Sequence, residues 1–351
     1  SSSPRILRNV FEPNPRTNQG GVIASSASPH VEANVFRAQR GLGPCQTILQ
    51  SGSMSVLAGS APRVVNNIFE QNGCAALYVD TTAGASFINN TFVGNDTAVF
   101  LRRSVGSHST TARNNLLVGN GVALALEGGS GSQNPTWEHN HVFRNSVNFL
   151  EVNSSTDLSV LNPGFTGNAG NAEADPRFVG EAAGDYRLNP TSPAIDAGTA
   201  VDGPTSDFAG APRPVDGDSS GSAATDIGAY EFNPGPGEIR FDTVQVSAHE
   251  TDGDVQLTVS RVAGRTGAVS VRYTTVSSSS ARPGQDFVAA TGVVQFANGD
   301  TASKVISISL VDDGPGEGNE TFRVVLDEPQ GGAGLGTPSQ VQVTIDDQAV
   351  D

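Results

Sequence analysis

The chain returns six times to one phrase: "RNVFEPN" (8–14), "ANVFRAQ" (33–39), "NNIFEQN" (66–72), "NNTFVGN" (89–95), "NNLLVGN" (114–120) and "HNHVFRN" (139–145). The second residue of each, Asn9, Asn34, Asn67, Asn90, Asn115 and Asn140, recurs at steps of 25, 33, 23, 25 and 25 residues. A unit of this length cannot bury its apolar face alone and must stack on its neighbours. Between the phrases lie short β-rich runs such as "AALYVD" (75–80), "GASFIN" (84–89), "TAVFLR" (97–102) and "VALALEG" (122–128), broken by Gly, Asn and Asp and lacking helical periodicity. Such strands fit one turn of a parallel β-solenoid per repeat. An Asn at the same point of every coil can bond its amide to the next and tolerates a left-handed bend. Asn67, Asn90, Asn115 and Asn140 are therefore expected to stack at one corner, with Phe69, Phe92 and Leu117 buried beside them.

These coils resemble the right-handed parallel β-helix repeat family, which includes pectate lyases and many bacterial surface proteins. The resemblance extends through "ADPRFVGEAAGDYRLNPTSPAIDAGT" (174–199) and "DFAGAPRPVDGDSSGSAATDIGAYEF" (207–232), similar to the C-terminal end of secreted bacterial β-helix proteins. The chain starts inside the repeat pattern, so further coils and a cap are expected upstream. No basic segment followed by an apolar one opens it, so a signal peptide is absent or already removed.

After the Pro/Gly-rich "NPGPGE" (233–238) the pattern changes to alternating strands about ten residues apart, a β-sandwich signature. Through "GQDFVAATGVVQF" (284–296), "VDDGPGEGNETFRVVL" (311–326) and "VTIDD" (343–347) this part resembles a Calx-β domain. The expected architecture is all-β: a right-handed parallel β-helix over 1–232 with a terminal segment at 174–232, a linker at 233–237, and a Calx-β immunoglobulin-like sandwich over 238–351.

The 41 Gly and 20 Pro favour turns over helices, and no apolar run is long enough to span a membrane. The net charge of −16 arises in the second half: residues 1–160 carry 10 Arg against 9 acids, residues 161–351 carry 10 Arg and Lys against 27. So acidic a surface argues against nucleic acid and in favour of cations. Cys45 and Cys74 form no metal-binding spacing; they could sit on adjacent coils as a disulfide or as two buried thiols.

Acids of the last segment fall at strand ends, which converge in a sandwich. Oxygen ligands from several loops, without His or thiolate, select Ca²⁺. The resemblance to calcium-binding modules of sodium/calcium exchangers implies Glu250, Asp286, Asp312, Asp313, Glu317, Glu320, Asp346 and Asp347 as ligands, with the Pro315 carbonyl. Gly314, Gly318, Asn319 and Gln348 depart from the acid-rich pattern and imply fewer or weaker sites. A second, weaker candidate is "DGDSSG" (216–221), which sets Asp216, Asp218 and Ser220 in an EF-hand-like order before Gly221. It lacks the closing Glu, a role left to Asp226 or Glu231.

Carbohydrate chemistry would need two positioned carboxylates or a base beside a neutralising group. The one Lys is Lys304, in the sandwich, and no paired Asp occurs in residues 1–231. Arg102 and Arg103 point to opposite faces of a strand; His139 and His141 share a face but lack a third ligand. The reading is a secreted or cell-surface β-helix protein of bacterial type with a calcium-binding module, acting in adhesion, surface display or glycan binding. Its partners would be calcium and a polysaccharide or another surface protein. The rival is a polysaccharide lyase or hydrolase whose catalytic residues lie in further coils or go unrecognised on the rod face.

Overall fold

The structure, a computed structural model, describes residues 3–12, 21–38, 53–57, 59–81, 84–103, 110–127, 135–151, 154–156, 170–218, 220–277, 280–314 and 318–346. The chain divides into two compact units, Ser1–Phe232 and Asn233–Asp351.

The first unit is a rod of three sheets, each built from one strand per coil. One coil shows the pattern: Ser86–Ile88 lies in the first sheet, Thr91–Val93 in the second and Thr97–Arg103 in the third. Apart from Ser154–Thr156, which is antiparallel to Val147–Glu151, each strand pairs in parallel with its counterparts one repeat away, as Thr91 does with Ile68 and Leu116. Alternation along each strand sends one set of side chains into the interior. Phe36, Val64, Phe69, Leu77, Phe87 and Phe92 are among the fully buried residues there. The rings of Phe11, Phe36, Phe69 and Phe92 stack with centroids 4.7 Å apart.

The repeated Asn does what its spacing requires. The backbone N–H of Asn67 donates to Asn90 Oδ1 at 2.9 Å, that of Asn90 to Asn115 Oδ1 at 3.0 Å, and that of Asn115 to Asn140 Oδ1 at 2.9 Å. The row begins at Asn9 and Asn34 and ends at Asn171. Each side-chain amide also reaches back to a carbonyl of the preceding coil, as Asn90 Nδ2 does to Val64 O at 3.0 Å. A second ladder at the next corner joins Asn72, Asn95, Asn120 and Asn145. Before each ladder Asn stands a residue with positive φ: Asn66, Asn89, Asn114 and His139 at one corner, Gln71, Gly94, Gly119 and Arg144 at the other. The doubled Asn of the sequence phrase is thus a left-handed bend followed by a ladder rung.

The bend residues have a second task, because their side chains face outward and hold the segment from 174 to 232 against the second sheet. Asn66 Nδ2 donates to Ser206 O, Asn89 Nδ2 to Asp226 O, and Asn114 Nδ2 to Thr199 O, at 2.7, 2.7 and 2.8 Å. Ile68, Val93, Leu116 and Val118 on the rod pack there against Tyr186, Leu188, Ile195 and Ile227. Gly228, at φ +102, must be glycine, since a Cβ would come within 2.5 Å of Leu116 Cδ1. Cys74 is disulfide-bonded, and Cys45 lies outside the described residues.

The second unit is a sandwich. One sheet runs Lys304–Ser309, Asp254–Val262, Glu238–Phe241, Gly334–Leu335; the other runs Gln245–His249, Gln340–Asp346, Glu320–Gln330, Val269–Ser277, Thr291–Phe296. Its core is made by the alternate apolar residues of these strands, such as Val255, Leu257 and Val259. The segment 233–237, expected as a linker, is bonded to the sandwich: Arg261 Nε donates to Pro236 O at 2.9 Å and Thr266 N to Gly235 O at 2.9 Å.

Asn90→Ala would leave the N–H of Asn67 unpaired inside the rod and remove one acceptor from Asn67 Nδ2 and one donor from Val64 O, costing about 1–3 kcal/mol. Asn9→Ala, at the exposed end of the ladder, should cost less than about 1 kcal/mol. Urea denaturation of the two variants would check this; equal losses would show that the ladder is not what holds the coils.

Candidate metal centres

Four of the acids picked out in the sandwich converge. Glu250, Asp286, Asp313 and Glu320 line one small hollow together with Val311, Gly318 and Ile345. Each is placed by a different piece of local structure. Glu250 opens a single 3₁₀ turn, Glu250–Asp252, in which Asp252 Oδ2 accepts the His249 N–H at 2.9 Å. Asp286 sits in a tight loop where Oδ2 accepts the Arg282 N–H at 2.5 Å. The next residue, Phe287, anchors that loop by stacking on Phe322 with centroids 4.2 Å apart. Val311 N donates to Asp286 O at 3.0 Å, tying the Asp286 loop to the one that carries Asp313. Glu320 begins the strand Glu320–Gln330, opposite Ile345.

Glu250 and Asp286 are buried, at 7% and 5% exposure. A pair of carboxylates about 5 Å apart repels by roughly 3 kcal/mol at an effective dielectric near 20. Four carboxylates lining one hollow lower that repulsion when a cation binds among them, and an all-oxygen set from separate loops suits Ca²⁺. Asp312 is exposed and does not line the hollow; Asp346 accepts a hydrogen bond from Asn319 Nδ2 at 2.7 Å. Glu317, Asp347 and Pro315 lie outside the described residues.

In the segment 174–232, which caps the second sheet of the rod and is called the cap below, Asp216 and Asp218 come together with a residue that the loop reading missed. Carboxylate oxygens of Asp196, Asp216 and Asp218 all lie within 4.8 Å of one another. Asp196 organises the loop: Oδ2 accepts the N–H groups of Gly217 and Asp218 at 2.8 and 2.7 Å, and Oδ1 accepts that of Ala224 at 2.9 Å. Burial pushes its carboxyl above the ordinary range, against the pull of these donors. The only hint in the sequence was its place in the Ser-Pro-Ala-Ile-Asp turn. The Ser220 N–H donates to Asp218 Oδ1 at 2.8 Å, while its hydroxyl is within 3.4 Å of the Ser222 backbone.

Asp226 lies elsewhere, in the core of the cap. It accepts the N–H groups of Asp196 and Phe232 at 2.8 and 2.5 Å. Glu231 accepts those of Val215 and Asp226, at 2.8 and 3.0 Å, and lies 3.4 Å from Arg213 Nε. Burial, with Glu231 nearby, raises Asp226 to about 8. The residues proposed to close the acidic loop thus form the buried network beneath it.

On the rod, Arg102 stands in register between Asp80 and Glu127 of the adjacent coils, 3.8 Å from the Glu127 carboxylate. The Tyr78 hydroxyl and these carboxylates hold its guanidinium in the charged form. The side chain of Arg103 lies outside what is described. His139 and His141 join no group of three ligand-type residues among the described residues.

Residues 1–169 match the family model of the right handed beta helix region, and residues 235–349 that of the Calx-beta domain. Over 111 residues the chain is 33% identical to adhesion G-protein coupled receptor V1 of Danio rerio, covering 31% of this chain and 2% of that protein. Over 94 residues it is 31% identical to sodium/calcium exchanger 1 of Rattus norvegicus, covering 27% and 10%. The chain therefore spans only a small part of these relatives. A crystal structure of the apo-form Calx CBD1 domain aligns with 28% identity and a TM-score of 0.31, over 32% of this chain and 97% of that one. No helix among the described residues is long and apolar enough to cross a membrane. The chain thus consists of a right-handed β-helix region followed by a Calx-beta domain.

Proposed function

We propose that this is an extracellular or cell-surface protein in which the β-helix is a binding or display rod and the sandwich is a calcium-binding module. The observation that carries the reading is the convergence of Glu250, Asp286, Asp313 and Glu320 on one hollow. The similarity to sodium/calcium exchangers supports it. The first sheet of the rod sets polar residues such as Glu32, Arg63, Ser86, Thr111 and Thr136 at its partly exposed positions, a face of the kind suited to adhesion or to holding a glycan. Nothing in the geometry of Arg102 favours the lyase reading, since its partners already stabilise it as a cation. The cap trio of Asp196, Asp216 and Asp218 is the weaker second calcium position.

An extracellular module of this type should bind calcium with a Kd on the order of 10⁻⁴ to 10⁻³ M. Tenfold excess over Kd then adds about 1.4 kcal/mol to the sandwich, a rise of a few degrees in its melting transition. In calorimetry of the whole chain, Asp313→Asn should remove the sandwich heat. Asp300→Asn, whose carboxylate pairs with Lys304 at 2.7 Å, should leave it intact. No heat, with superimposable melting curves in millimolar calcium and in chelator, would end the calcium reading.

The cap position is separable by the same measurement. With Asp313→Asn in place, any remaining heat should disappear on Asp216→Asn if the trio binds calcium. Binding already abolished by Asp313→Asn alone would confine calcium to the sandwich.

A further inference from the structure

We propose that the coil carrying His139 and His141 fastens the cap through this histidine pair and releases it in acid, a local opening distinct from calcium binding. The comparison is internal to the chain. In three successive coils the outward bend residue is Asn66, Asn89 or Asn114, and the outward residue two places on is Ile68, Thr91 or Leu116. In the next coil both positions become titratable, as His139 and His141.

His139 takes over the clipping role, with Nδ1 2.9 Å from Ala197 O in the cap. Its ring lies against Gly170, where a Cβ would come within 2.4 Å of Nδ1. His141 is paired with Leu116 on one side and Ala172 on the other. It is 4% exposed, and its buried Nδ1 has no hydrogen-bond partner among the described residues. A neutral imidazole can occupy such a position; an imidazolium there buries an Nδ1–H with no acceptor.

The charged and titratable groups of the surrounding elements offer no rescue. Glu173, on the neighbouring strand, is exposed. Glu181 of the cap pairs with Arg144 at 2.5 Å, and the Tyr186 hydroxyl donates to Glu70 at 2.6 Å. Asp226 is engaged by the backbone of Asp196 and Phe232. The charged neighbour that acts on His141 is His139, which repels it. Burial, then this repulsion, push His141 down to about 4.

A group depressed on folding contributes stability that is complete above its ordinary value, about 6.5, and is lost as pH falls toward its folded value. Asp226, raised to about 8, has the opposite slope: its contribution is complete below its ordinary value and is lost as pH rises through about 8. A single pH profile would mix the two, so variant and parent must be compared at each pH.

The test is amide hydrogen exchange on the whole chain between pH 7 and pH 4, for the parent, His141→Leu and His141→Gln. Gly198, Thr199 and Gly228 report the cap, through bonds to Thr225 O, Asn114 Oδ1 and Asn114 O; Leu116, bonded to Asn90 O, reports the rod. The parent should lose protection at the cap amides relative to either variant by on the order of a hundredfold across this range, with the rod amides unchanged. If the leucine variant fails to fold, the glutamine variant gives the same reading. A parent-to-variant ratio that stays constant with pH, or that changes equally in cap and rod, overturns the proposal.

Discussion

The amide ladder at the rod corners sets the conditions for everything built on it. A chain that turns every few residues leaves backbone N–H and C=O groups in the bends that neither sheet can pair. Within the rod these groups are buried, so each must find a partner or cost about 1–3 kcal/mol. Asn meets the need because one side chain carries both an acceptor and donors. Its Oδ1 takes the N–H of the coil before, and its Nδ2 reaches a carbonyl of that coil. With the corners satisfied, the strands are held in register and Phe36, Phe69 and Phe92 are brought to stacking distance. The ladder therefore precedes the core in the logic of the fold, although the core supplies much of the favourable burial.

What could be read from the sequence was whatever repeats. The period places Asn67, Asn90, Asn115 and Asn140 in one row and Phe69, Phe92 and Leu117 inside, as the structure has them. The alternating runs of the sandwich were equally visible, because a half-buried strand writes its pleat into the sequence. Two short strands, Glu238–Phe241 and Gln245–His249, were hidden among Pro, Gly and polar residues. The second ladder and the outward role of Asn66, Asn89 and Asn114 were also missed. Which member of an Asn-Asn pair points inward depends on backbone dihedrals that composition does not record.

The sites show the same division. Glu250, Asp286, Asp313 and Glu320 were named from strand ends and resemblance, and they line one hollow. Asp196 was not named as a ligand because 20 residues separate it from Asp216. Only the cap's folded path, which ties both Gly217 N–H and Asp218 N–H to its carboxylate, brings them together. Asp226 erred in the other direction: its closeness in sequence to the acidic loop suggested a ligand, whereas it is buried beneath that loop and bonded to backbone amides.

The contrast between these acids says why burial alone does not mark a metal site. Asp207, Asp226 and Glu231 are all buried in the cap, yet each accepts two backbone N–H groups, and Arg213 lies among them with its side chain wholly enclosed. Oriented amides and one guanidinium there partner these carboxylates. The same groups fix the loop that carries Asp216 and Asp218, so the network is structural support for the trio above it. In the sandwich Glu250, Asp286, Asp313 and Glu320 line one hollow, with Asp286 Oδ2 also accepting the Arg282 N–H. Burial still raises Asp226 and Glu231, so amides and one guanidinium offset only part of the cost of enclosing their charge. The number of carboxylates that share one hollow, rather than their burial, is what marks the sandwich end as a candidate calcium centre.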